Sequence, residues 1–156
     1  MVSEFSFPVV PRYAEVDQQG VVFNGHYLTW FDEACTAFLD HLGVSYPGLI
    51  AGGHETQVVH SEIDYLASVR WRDSVRVVVQ CDRIGSTSFT LRFTVLRRSA
   101  SADADTDADE IAAVRGHNVE VAAVRGNNVY VAVSTGDWAK RPIPEPLRAA
   151  LTAHAN

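Results

Sequence analysis

The sequence predicts an α+β fold in which an antiparallel sheet curls around one long helix, and three observations carry that prediction. One segment near the N-terminus is apolar at helical spacing; several later segments alternate apolar and polar residues as strands do; and the helical stripe is wide enough to cover a whole sheet face. The 156 residues suffice for one domain with a real core and are too few for two comfortable ones, so a single domain spanning 1–156 is expected.

Taken in order, the N-terminal MVSEFSFPVVPRY lacks a basic start followed by a long apolar run, and no window approaches the ~18 apolar residues that span a bilayer. A cytoplasmic location away from membranes is expected. An extended run then ends in Asp17 and is followed by Gln18-Gln19-Gly20, the apolar trio Val21, Val22 and Phe23, and Asn24-Gly25. This reads as a strand-turn-helix unit, which leaves backbone amides pointing outward at the helix start, where they can bind an oxygen that becomes negative during reaction. Asp followed three residues later by Gly is also common in plain turns, so the pattern alone leaves both readings open.

From Tyr27 the apolar positions Tyr27, Phe31, Ala34, Cys35, Phe38 and Leu42 recur every three or four residues, and Leu28, Trp30 and Leu39 widen the stripe. Gly43 is the natural stop. A loop holding Pro47-Gly48 and Gly52-Gly53 follows, and then the period changes to two. Glu55 to Ala67 reads as a long strand with Val59, Ile63 and Tyr65 on one face and His60, Glu62 and Asp64 on the other. Val75, Val77, Val79 and Cys81 mark the next strand, and Phe89, Leu91, Phe93 and Val95 the one after, joined by the turn Ile84-Gly85-Ser86-Thr87. Ser99 to Glu110 (SASADADTDADE) is a loop by composition. Ala112 to Val121 (AAVRGHNVEV) is repeated at once as Ala122 to Val131 (AAVRGNNVYV), which predicts either one lengthened, bulged strand or an extra strand beside it. Trp138 to Leu151 reads as a tail ending in a short helix that starts near a proline.

Hydrophobic residues make up 47% and charged residues 21%, an ordinary globular composition. The formal charge of -6, with basic residues scattered apart from pairs such as Arg97-Arg98 and Lys140-Arg141, argues against a nucleic-acid partner. Cys35 and Cys81 read as small buried apolar residues rather than a disulfide. The chain has no Gly-x-Ser-x-Gly elbow and no Gly-rich phosphate loop or dinucleotide fingerprint, and its six histidines form no recognisable zinc set. No metal and no cofactor is expected. What remains is a carboxylate near a helix start, a candidate for covalent or acid-base chemistry.

The segment Arg12 to Gly43 resembles the signature of the 4-hydroxybenzoyl-CoA thioesterase family of hot-dog fold proteins, with Asp17, Gly20, Val22, Tyr27 and Phe31 at the matching positions. Tyr65 on the strand after the helix, the Arg72-Asp73 turn and the Pro-rich tail extend the likeness along the chain. The resemblance implies a hot-dog fold and an acyl-CoA thioesterase that uses Asp17 as nucleophile or general base, with the backbone amides of Asn24, Gly25 or their neighbours as oxyanion donors. It also implies self-association as a homodimer or homotetramer, with sites at the subunit boundary. Many relatives carry a histidine where this chain has Asn24; a helix cap is the first expectation for that side chain. His26 is expected at the surface or an interface, and Tyr27 in the core rather than as a proton donor. Phe23 is a candidate acyl-pocket contact, and Arg83, Gly85, Ser86, Thr87 and Ser88 are candidates for binding coenzyme A, without the arginine pair that some aryl-CoA members have in that turn. Arg70, Arg72, Arg125 and Arg141 are further candidates for its phosphates. An acyl-carrier-protein thioester is a second candidate substrate, and the rival functions are a noncatalytic acyl-CoA-binding protein and a hot-dog hydratase or dehydratase.

Overall fold

Alternation along the central strands is strict enough to build a sheet with one apolar face. Val75, Val77, Val79 and Cys81 are buried along β3 (Ser74–Ile84), and Phe89, Leu91, Phe93 and Val95 along β4 (Ser88–Arg98), as their spacing predicts. The computed structural model describes residues 4–99 and 120–155. β1 (Ser6–Val9), β2 (His54–Tyr65) and β5 (Val121–Ser134) complete one five-stranded antiparallel sheet of order β1-β3-β4-β5-β2.

α1 (His26–His41) lies across the apolar face and buries Tyr27, Trp30, Phe31, Ala34, Cys35, Phe38 and Leu39, while Leu28, expected to widen the stripe, is 42% exposed. The helix ends where Gly43 takes φ 76. Phe31 of the helix stacks on Phe93 of the sheet with ring centroids 4.6 Å apart. A Cβ at Gly126 of β5 would lie 2.5 Å from the Phe31 ring and 2.8 Å from the Glu62 carbonyl oxygen, so only glycine fits beneath the helix there. α3 (Glu145–Ala153) closes the core with Leu147 and Leu151, starting at the prolines as predicted. This is the α+β hot-dog arrangement, a sheet wrapped around its long helix.

Three expectations need correction. The stretch holding Pro47-Gly48 is not a plain loop: Ser45 accepts the Gly48 amide at 3.2 Å and caps a short helix, α2 (Tyr46–Ala51). β2 does not present Val59, Ile63 and Tyr65 to the core as one face. Among the described residues it is an edge strand that pairs only with β5 and slips register between Val58 and His60, leaving Val59 and Tyr65 more than half exposed while Ile63 packs against the core. The edge strand β1 also went unread, because four residues containing a proline carry too short a pattern. The second copy of the ten-residue repeat lies in β5, which bulges at Ala123 as it pairs with β4; most of the first copy, and the Ser99–Glu110 loop but for Ser99, fall outside the described residues.

Candidate active site

A small hairpin positions Asp17. Its amide donates to the Val21 carbonyl at 2.9 Å, the Gly20 amide donates to the Asp17 carbonyl at 2.9 Å, and Val16 bridges Val22. The Gln19 amide donates to Asp17 Oδ1 at 2.7 Å, which holds the half-buried carboxylate in one orientation. The hairpin is docked from two sides: Val21 bridges Arg70, the Val22 amide donates to Val69 at 2.8 Å, and the Phe23 amide donates to Glu15 at 2.9 Å. The chain before Asp17 is therefore not the extended run the sequence suggested. Tyr13–Glu15 is a 3-10 turn set between the extended residues Arg12 and Val16.

That turn exists to bury Glu15. Its carboxylate is 3% exposed and accepts the Arg12 amide at 2.8 Å, the Arg12 guanidinium at 2.9 Å and the Trp30 indole N–H at 3.1 Å. Burial raises its pKa, but the hydrogen bonds from Arg12 and Trp30 outweigh that and hold it below the ordinary carboxylate value. Sequence reasoning missed this residue because nothing in a linear pattern distinguishes a buried acid from a solvated one.

The start of α1 differs from the expected cap. Gly25 occupies the N-cap position with no side-chain hydrogen bond, so Asn24 does not cap the helix. Among the described residues, the amides of Asn24 and Gly25 donate to no other backbone group. Instead the Asn24 carbonyl accepts the Tyr65 hydroxyl at 3.1 Å, which fastens the turn to the end of β2 across 41 residues. Asp17, Gln19, Asn24, Tyr27, Tyr65 and Ser68 line one cleft of about 320 Å³.

Tyr27 is 3% exposed and lies edge-on to Trp30 and Tyr65. Burial pushes its hydroxyl up to about 12. His26 is partly exposed, edge-on to Phe23 at 5.8 Å; Phe23 itself is half exposed beside Gly25 and does not line this cleft. The other expected residues stand elsewhere. Ser88 pairs with Val131 and Val131 with Gln57, whereas Tyr65 pairs with Val124. Seven residues along β5 separate the two rows, about 23 Å at 3.3 Å per residue. Arg83, Gly85, Ser86, Thr87 and Ser88 therefore cluster at the opposite end of the sheet from Asp17 in one copy. There the Gly85 amide donates to the Ser88 carbonyl, and Arg148 donates to the carbonyls of Gly85 and Ser86. Arg70 lies beside Gly20 and begins the turn that also holds Arg72. Among the described residues, no three His, Cys, Asp or Glu side chains are grouped to hold a metal ion, and no helix is long and apolar enough to cross a membrane.

The helix-wrapping sheet and the carboxylate beside the helix start define a hot-dog protein of the thioesterase type. The family model for the thioesterase superfamily matches residues 19–101, more than half of the chain, and the chain belongs to that family. It is 27% identical over 96 residues to the acyl-CoA thioesterase YbgC of Haemophilus influenzae, a match covering 61% of this chain and 71% of that one. YneP of Bacillus subtilis is 33% identical over 66 residues, 42% of this chain; the match spans about half of YneP's length, 48%. Among solved structures, the 1,4-dihydroxy-2-naphthoyl-CoA thioesterase Slr0204 of Synechocystis superposes with a TM-score of 0.75 at 18% identity, covering 96% of both chains.

Proposed function

We propose that this chain hydrolyses an acyl-CoA thioester to a free carboxylic acid and coenzyme A, with Asp17 as the reacting carboxylate. The observation that carries the proposal is the shared cleft: Asp17, its orientation fixed by the Gln19 amide, faces the same space as the Asn24 turn at the start of α1. As a general base, Asp17 takes a proton from water while the oxygen attacks the thioester carbon; as a nucleophile, it attacks that carbon itself and an anhydride is then hydrolysed. In either route the carbonyl oxygen becomes negative and is met by the Asn24 and Gly25 amides at the helix start. The C–S bond breaks and the sulfur leaves with its electron pair, taking a proton from the Asp17 carboxyl in the general-base route or from water in the nucleophile route to become the thiol of coenzyme A. The Tyr65 hydroxyl holds the amide-bearing turn in place through the Asn24 carbonyl.

The working unit in this reading is a homodimer or larger. Among the described residues β2 is an open edge carrying Val58, Val59 and Tyr65, followed by Leu66, all roughly half exposed. Antiparallel pairing of two such edges sets the Gln57 end of one copy beside the Tyr65 end of the other. Arg83, Gly85, Ser86, Thr87 and Ser88 of one copy then approach the Asp17 cleft of its partner. The free buried thiols of Cys35 and Cys81 favour a cytoplasmic setting.

Asp17→Asn tests the chemistry. With a panel of short, long and aromatic acyl-CoAs, thiol release by the wild-type protein should fall by on the order of 10²-fold or more in the variant, with KM little changed. An unaltered rate in Asp17→Asn removes Asp17 from the mechanism. Retained acyl-CoA binding without thiol release from any substrate favours a noncatalytic binding protein, and consumption of an enoyl-CoA without thiol release a hydratase.

A further inference from the structure

The turn Arg70–Asp73 leads from the Asp17 hairpin into β3, and it is built rigidly. The buried Asp73 carboxylate accepts the Arg70 amide at 2.8 Å, and the Asp73 amide donates to the Arg70 carbonyl at 3.2 Å. Its third residue, Arg72, has φ 73, where turns of this kind ordinarily carry glycine or asparagine. The Arg72 guanidinium lies over the Trp71 ring, 4.4 Å from its centroid, and Tyr13 meets Trp71 edge-on at 5.6 Å. These side chains are not core. Tyr13 is 78% exposed and Trp71 44%.

Stability does not explain this arrangement. A left-handed arginine strains the backbone, and an exposed cation–π stack returns little. A planar cation stacked on an indole is, however, a platform for a planar base with attached phosphates: the stack offers a face to the base, and the guanidinium edge offers N–H donors to phosphate oxygens. The platform adjoins the cleft through the Val21–Arg70 bridge, and Arg70 reaches alongside Gly20. In a chain of net charge -6, it is a local concentration of cations beside the reacting carboxylate.

We propose that Trp71 and Arg72, flanked by Tyr13 and Arg70, bind the nucleotide end of coenzyme A, the adenine stacking on the Trp71–Arg72 pair and a phosphate meeting the Arg72 guanidinium. The inference rests on the acyl-CoA reading above. It assigns nucleotide recognition to the same copy that holds the thioester, and leaves the polar β3–β4 turn of a second copy to the middle of the substrate.

Arg72→Gly removes the cation while placing glycine where the backbone favours it, so the variant should fold with an unchanged or raised melting temperature. Calorimetric titration with adenosine 3′,5′-bisphosphate, which has no thioester, isolates the platform from the chemistry. Wild-type protein should bind it, and Arg72→Gly should bind about tenfold more weakly, as should Trp71→Ala. With an acyl-CoA substrate, KM should rise about tenfold in Arg72→Gly at constant kcat, and hydrolysis of the matching acyl-pantetheine should not change. Equal binding by wild type and variant, or no binding by either, overturns the proposal. So does loss of nucleotide affinity in Arg83→Ala but not in Arg72→Gly. A raised KM for an acyl-carrier protein without bisphosphate binding also overturns it, in favour of protein docking. Bisphosphate binding that is lost in Arg72→Gly, in a protein that releases no thiol, upholds the platform and removes the hydrolase reading instead.

Discussion

The Glu15 carboxylate receives the Trp30 indole N–H at 3.1 Å, and this buried contact ties the segment just before Asp17 to the middle of the central helix. A carboxyl held below its ordinary value contributes stability above the unfolded value, about 4.3, and that contribution is lost as pH falls through the folded value. Glu15→Gln should therefore lower stability at neutral pH by about 1–3 kcal/mol and flatten the acid limb of the stability profile. Urea titrations from neutral to acid pH check this; an identical acid limb in both proteins assigns acid unfolding to other groups.

Tyr27 lines the cleft, yet its hydroxyl is buried and pushed up to about 12. It keeps its proton throughout the neutral range. Tyr27→Phe should leave the shape of the pH–rate profile intact. A profile that loses its alkaline limb would make Tyr27 a proton donor.

Gly126 lies 2.5 Å from the Phe31 ring and 2.8 Å from the Glu62 carbonyl when a Cβ is placed on it. Gly126→Ala must push α1 or β2 away, at a cost of about 1–3 kcal/mol or more. Thermal melts of Gly126→Ala, with Gly136→Ala as a surface comparison, report the difference. Equal melting temperatures would mean that the helix slides over the sheet without penalty.

Burial pushes both thiols, Cys35 and Cys81, up to about 11. Neither should react with a disulfide reagent on the minute scale in native protein, and both should react in urea. Cys35→Ala should retain thioester hydrolysis. Rapid labelling of one native thiol would reveal an opening of the core beside α1 or β3.

Much of this fold was legible because its signals are periodic. Phe89 to Val95 alternate without interruption, Val75 to Cys81 alternate but for the buried Val78, and the stripe from Tyr27 to Leu39 reads as a buried helix face. β2 misled because a bulge at Val59 shifts its register, and an edge strand has no second neighbour to enforce alternation. Asp17 stood out through its spacing to Gly20 and the helix. Glu15 and Trp71 did not, since their roles depend on contacts 15 and 58 residues away, with Trp30 and Tyr13, and Tyr65 stood out only by its place on the strand, not by its hold on Asn24 41 residues away. Asn24 was read as a cap because its residue type favours one, but the helix begins one residue later.

The anchors of the Asp17 hairpin come from far along the chain. Val21 and Val22 rest on Arg70 and Val69, and the Asn24 turn hangs from Tyr65. Residues 12–43 carry the signature, but by themselves they do not hold the shape. The cleft comes together only after the chain has been made past β2 to Arg70 and folded back, so a nascent chain or fragment that stops before Tyr65 has the Asp17 carboxylate without the partners that shape its cleft.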